Sequence, residues 1–275
     1  MIQPDPGPFW DAHCHLADPR WDGSLDEVLI RSRAAGVGVW IQGGVDPADW
    51  SRQTQIRNQY GTSVVTSAGV HPWWVTDHSV PEISVACGAL QAMRETCDSV
   101  GELGLDLGPR LLKRTGTQVP QIPALLARQQ AAFEAQLRIA RSWGKPWIFH
   151  IVQAHPEALA ILRKELPDRA CGLIHSFSAS WEIGRQYLSL GLTLSVGGVI
   201  TRPGYRQLKE AVRLIPSDQL VLETDSPDQA PQGWEGLNEP ASLWQVARAV
   251  GALRNEAPEL LMERSRDRLR KIFGR

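Results

Sequence analysis

Asp11-Ala12-His13-Cys14-His15 sets two imidazoles one strand repeat apart. Residues two apart in an extended strand share a face, which predicts His13 and His15, with Asp11 before them, on one side. Neutral imidazole is the commonest protein ligand for metals, so such a pair on a rigid strand makes half a metal site. The other half must come from elsewhere in the chain, and the candidates are His71, Glu102, His150, His175 and Asp225. A lone glutamate is usually solvated or ion-paired, and a single buried histidine is usually a hydrogen-bonded core residue. As a group they carry more weight. Four imidazoles (His13, His15, His150, His175) with Glu102 and Asp225 suffice for two cations sharing a bridge. Glu102 is the natural bridge, because a carboxylate offers two oxygens. Paired ions of this kind stand about 3.5–4 Å apart and can hold both the attacking and the leaving oxygen of a displacement.

The elements that must position these residues follow from the hydrophobic pattern. Strands are expected at the opening His13–His15 segment and at 38–41, 63–68, 99–103, 146–150, 172–175, 192–196 and 220–223. Helices are expected at 24–35, 49–60, 81–97, 125–143, 156–165, 180–190, 205–214, 240–252 and 258–273, with a long loop over 108–123. Eight strands, each followed by a helix or a helix-bearing loop, fit a (β/α)8 TIM barrel occupying residues 1–275 as a single domain. An open doubly wound sheet is the competing architecture, but no glycine-rich phosphate fingerprint follows the first strand. Barrel active sites lie at the C-terminal strand ends. His13, His15, His71, Glu102, His150, His175 and Asp225 all fall at or just past such ends.

The 275 residues are 43% apolar and 21% charged with a formal net charge of -1, an ordinary globular balance with no global basic signal for nucleic acid. Bound divalent cations would supply positive charge locally instead. No apolar run approaches the roughly 20 residues that span a bilayer. Met1–Pro6 lacks the basic and apolar segments of a secretory leader. Four scattered cysteines, without CxxC spacing, indicate neither a disulfide framework nor a zinc knuckle, so the cytoplasm is the expected compartment.

Five segments, in order, resemble the TatD family of metal-dependent hydrolases. They are Asp11–Leu16, Gly69-Val70-His71-Pro72, Gly101–Asp106, His175-Ser176-Phe177-Ser178 and Glu223-Thr224-Asp225-Ser226-Pro227. The helix around Gln129–Ala140 and Asn238-Glu239-Pro240 are similar to family segments too, and the likeness covers residues 9 to 273. The resemblance implies an amidohydrolase-type TIM barrel with two divalent metal ions (Mg, Mn or Zn) that hydrolyses phosphodiester bonds in DNA, often from 3′ ends. Carried over by motif, His13, His15, Glu102 and Asp225 would hold one metal. Glu102, His150 and His175 would hold the other, with His71 at the substrate phosphate. The expected chemistry is metal-assisted hydrolysis in which Glu102 and Asp225 are catalytic and Asp225 takes a proton from the attacking water. Val152 stands where the family usually has arginine, and Leu107-Gly108-Pro109-Arg110 where many members have aromatic residues. Those departures fall on the substrate rim.

The first rival is a barrel metallohydrolase acting on a small phosphate ester, amide or lactone. Many of those bridge their metals with a carboxylated lysine. Here Glu102 occupies the fourth strand, and the nearest lysines, Lys113 and Lys145, lie outside it. A non-catalytic metal-binding or nucleic-acid-binding scaffold is the second, disfavoured by a full ligand set that leaves open positions. Arg202 is expected either to meet a substrate phosphate or to sit on the surface. His155 is expected to be exposed or helix-capping. Trp73, Trp74 and Trp234 read first as packing, with base stacking as the alternative.

Overall fold

The computed structural model describes residues 7–168 and 170–274; Met1–Pro6 of the opening segment lie outside them. Nine strand segments run in chain order: β1 (Phe9–Cys14), β2 (Val37–Gln42), β3 (Val64–Val65), β4 (Ser67–Ala68), β5 (Ser99–Asp106), β6 (Trp147–Val152), β7 (Gly172–His175), β8 (Leu192–Val196) and β9 (Leu220–Leu222). Every pairing between neighbours is parallel, in the orders β1-β2-β3 and β4 through β9. β3 and β4 are together the third barrel strand, interrupted at Thr66. There the backbone N–H of Thr66 turns to the Asp98 carboxylate, and its carbonyl receives the N–H groups of Asp98 and Ser99. Closure between the eighth strand and the first is made by Asp225 N–H to His13 O at 2.9 Å and His15 N–H to Ser226 O at 2.7 Å. The Asp11 carboxylate accepts the Thr224 N–H and hydroxyl beside them. The structure is a parallel (β/α)8 TIM barrel, as the alternation predicts.

Inside the barrel, Trp10, Ala12, Val39, Ile41, Val65, Ile148, Leu173 and Val221 form one buried cluster, with Leu269 and Ile272 of the last helix (Pro258–Phe273) below it. Outward residues of the same strands, among them Cys14, Trp40, Leu103, Leu105, Phe149 and Ile174, pack under the helices. Even-numbered β1 residues therefore face in at Trp10 and Ala12 but out at Cys14. A register slip explains the change: three residue steps, Asp11 to Cys14, lie opposite two on β2, Trp40 to Gln42. The same three-against-two slip occurs in β5 between Val100 and Leu103, opposite Trp147 and Phe149. An extra residue of this kind re-aims the side chains beside it. Here the slips turn His13, His15 and Glu102 inward. Asp11 precedes the first slip and so does not share the face of His13 and His15, contrary to simple alternation.

Two further segments depart from expectation. β5 continues through Gly104 to Asp106, because it stays paired with β6 up to Asp106 opposite Val152. The 108–123 stretch is not a plain loop. It carries the helix Pro109–Thr115, started by proline at its first position and ended by Gly116 in left-handed conformation, with φ 67°.

Candidate metal centre

Glu102 is buried, and its two oxygens face different imidazoles. Oε2 lies 3.3 Å from His13 Nε2 and 3.6 Å from His15 Nε2. Oε1 lies 2.9 Å from His150 Nδ1, 2.8 Å from His175 Nε2 and 3.3 Å from His71 Nε2. Asp225 adds its Oδ1 to the first group, 3.7 Å from His13 Nε2 and 3.3 Å from His15 Nε2. Its Oδ2 is held by the Gln229 amide. Residues from six of the eight barrel strands thus converge on one carboxylate. Arg202 does not join them: its guanidinium donates to Ala230 O at 2.8 Å, and it is not among the residues lining the cleft above the cluster.

Outer carboxylates stand beside two of the histidines, His150 and His175. His150 Nε2 is 2.9 Å from Asp106 Oδ2, which also accepts the Trp73 indole N–H at 2.6 Å. A proton held there leaves Nδ1 with a free lone pair toward Glu102. His175 Nε2 is the inward nitrogen, 2.8 Å from Glu102 Oε1, while its Nδ1 lies 3.5 Å from Glu223 Oε1, at ion-pair distance without a hydrogen bond. His71 differs. Its Nδ1 accepts the Trp73 backbone N–H at 3.0 Å, and burial lowers its pKa to about 4. A neutral ring that accepts at Nδ1 carries its proton on Nε2, which makes Nε2 a donor pointed into the site rather than a lone pair.

The donor set fits a cation. Inward nitrogens stand 3.3 Å apart in the His13–His15 pair and 2.9 Å apart in the His150–His175 pair, close enough that each pair shares one positive charge, a proton or a metal ion. Glu102 Oε2 is buried without a hydrogen-bond donor among the described residues. Burial alone would raise the Glu102 pKa, yet the surrounding imidazoles hold it well below the carboxylate range. Asp225 is likewise lowered to about 2 against its burial, chiefly by His15. Gly43, just past β2, completes the fit. A Cβ there would lie 2.5 Å from His13 Cε1 and 2.6 Å from Glu102 Oε2, so only glycine leaves the space open.

Sequence reasoning had no role for Asp106, Glu223 or Gly43. Asp106 lies on the face of Glu102, four residues on, so the two-residue period that pairs His13 with His15 also pointed to it. Nothing in the sequence signals that Glu223 backs His175. His155 is neither free nor a cap: its Nδ1 meets the Tyr187 hydroxyl at 2.9 Å. Trp74 stacks on His78 with ring centres 3.6 Å apart, and Trp73 lies under the guanidinium groups of Arg110 and Arg114; both line the cleft above the cluster.

The cleft above the cluster, about 590 Å³, opens to solvent and mixes charged side chains with Trp73, Trp74 and Val45 in its walls. No helix among the described residues is long and apolar enough to cross a membrane.

A family model described as TatD related DNase matches residues 10–274. An uncharacterized metal-dependent hydrolase of Haemophilus influenzae is 29% identical over 270 residues, covering 97% of this chain and 99% of that protein. The 3′-5′ ssDNA/RNA exonuclease TatD of a Rahnella species is 29% identical over 267 residues, covering 94% and 96%. Among solved structures, YjjV, a TatD homologue from Escherichia coli K12, matches with a TM-score of 0.84 at 27% identity over 98% of this chain and 100% of that one. With likeness along the whole barrel, and with cation-binding chemistry gathered at its C-terminal mouth, this chain belongs to the TatD-related DNase family and is a metal-dependent hydrolase.

Proposed function

We propose that this hydrolase removes nucleotides from the ends of DNA strands, in the cytoplasm, with two divalent cations (Mg²⁺, Mn²⁺ or Zn²⁺). The observation that carries the reading is the division of Glu102, each of whose oxygens has its own set of inward imidazole nitrogens. His13, His15 and Asp225 with Oε2 would hold one cation; His150 and His175 with Oε1 would hold the other. When bound, such cations supply Lewis acidity, drawing the pKa of water from 15.7 toward about 7 and neutralising charge on a phosphoryl group.

The chain's own residues do the rest. Asp106 holds the outer nitrogen of His150 and so aims its inner nitrogen at Glu102, and Glu223 stands 3.5 Å behind that of His175. Asp225, kept anionic and oriented by Gln229, accepts the proton of the attacking water. The Nε2–H of His71 points into the site as a neutral donor for a phosphate oxygen, which needs no proton exchange to act. The named exonuclease relative supports a nucleic-acid substrate.

The test is nucleotide release from end-labelled single-stranded DNA with Mg²⁺ or Mn²⁺. Chelation is expected to stop release and metal to restore it. Glu102→Gln, which keeps the side-chain volume but halves the bridge, is expected to abolish it. Release that survives Glu102→Gln would overturn the assignment.

A further inference from the structure

The feature of the mouth that this chemistry leaves unused is a three-residue ion bridge. Asp228 Oδ1 accepts from Arg110 Nη2 at 2.9 Å, and its Oδ2 accepts from Arg20 Nη2 at 2.6 Å. Arg20 is in turn gripped by both oxygens of Asp18, at 2.9 and 2.8 Å. Arg110 follows β5, the fourth strand of the barrel; Asp228 follows β9, the eighth; Arg20 follows β1, the first. Fourth and eighth strands lie opposite each other in an eight-stranded barrel, so the Arg110–Asp228 pair must cross the opening. All three residues line the same cleft as Glu102 and His175.

Both ends of the bridge are tied to the site. The Asp228 backbone is fixed by its N–H to Asp225 O at 2.9 Å and by Asn238 Nδ2 to its carbonyl at 2.7 Å. The Arg110 guanidinium lies 5.3 Å over the Trp73 ring, whose indole N–H is bonded to Asp106. An isolated surface ion pair contributes little; here Asp228 joins two arginines in a network, with the Arg110 side chain 68% exposed. On one side of it, the cleft is walled by segments following the first three strands, including Asp18, Val45, Arg52 and His71. On the other, the rim is shortest after β6, where only Gln153 and Ala154 precede the helix that begins at His155; the segments after β7 and β8, 176–180 and 197–205, are longer.

We propose that the Arg110–Asp228–Arg20 bridge is a strap that bars the cleft to the interior of a nucleic-acid strand and so admits only strand ends. The proposal rests on the reading of the centre as a phosphodiesterase. A strand lying across the mouth would have to leave over the short turn at 153–154, past the strap. Its backbone would then face the Asp228 carboxylate and compete with it for both guanidiniums. A terminal nucleotide enters from the walled side and stops there.

The experiment compares a circular single-stranded DNA with the linear strand of the same sequence, in Mg²⁺ or Mn²⁺, for the wild type, Asp228→Ala and Arg110→Gln. Bis(p-nitrophenyl) phosphate, small enough to pass any strap, monitors the centre in each protein. The wild type is expected to trim the linear strand and spare the circle. Both variants are expected to raise the circle-to-linear rate ratio about tenfold or more, since each removes the strap. Arg110→Gln also removes a cation, so a simple phosphate-binding role would lower both rates together and leave the ratio unchanged. Circles that stay resistant in both variants while linear DNA is trimmed overturn the strap alone. Hydrolysis of the small diester with both DNAs left whole by all three proteins overturns the nucleic-acid reading, and the strap with it.

Discussion

His150 spans two carboxylates, with Nε2 at 2.9 Å from Asp106 Oδ2 and Nδ1 at 2.9 Å from Glu102 Oε1. One ring therefore joins the candidate bridge to a residue outside it, and the outer contact decides what the inner nitrogen can do. Asp106→Asn puts an amide where an anion held the proton. The expected result is a fall of about 10–100-fold in metal affinity, the usual effect of losing such an orienting partner. Calorimetric titration of metal-free protein with Mn²⁺ measures it. Affinity equal to that of the wild type would mean that Asp106 does not orient the ring.

Gly43 is the second lever, because it acts through volume alone. Gly43→Ala places a methyl group within 2.7 Å of atoms of His13, Glu102 and His15, so those side chains must shift to admit it. The expected outcome is a protein that folds with a loss of about 1–3 kcal/mol. It should retain little bound metal by elemental analysis. Wild-type metal content in Gly43→Ala would refute the claim that this space belongs to the cations.

His71 is proposed to contact substrate rather than metal. With Nδ1 accepting from Trp73 and Nε2 protonated, its loss should leave metal content intact. His71→Asn is expected to lower turnover of a phosphodiester by about 10²–10³-fold, the scale of removing one donor to a developing charge. Loss of one of two bound cations in the variant would instead make His71 a ligand.

The residue types and their order along the chain carried much of this. Alternating apolar runs and helical periods specified eight strand–helix units, and the chemistry-bearing side chains stood at the ends of those runs. That much is local, because a strand end is legible from its own few residues. The Gly108–Pro123 stretch shows the limit, since a seven-residue helix between proline and glycine has the composition of a loop.

What the tertiary structure alone decided is direction and partnership. His13, His15 and Glu102 face inward because β1 and β5 each carry one residue more than their neighbours across the slip, and register depends on a strand far away in the chain. Asp106 and Glu223 acquire meaning from the rings they back, and Arg202 stands outside the cluster with its guanidinium on Ala230 O. The bridge from Arg110 to Asp228 joins positions 118 residues apart. Only barrel closure brings such groups to one mouth, since sequence spacing says which residues share a strand and not which strands meet.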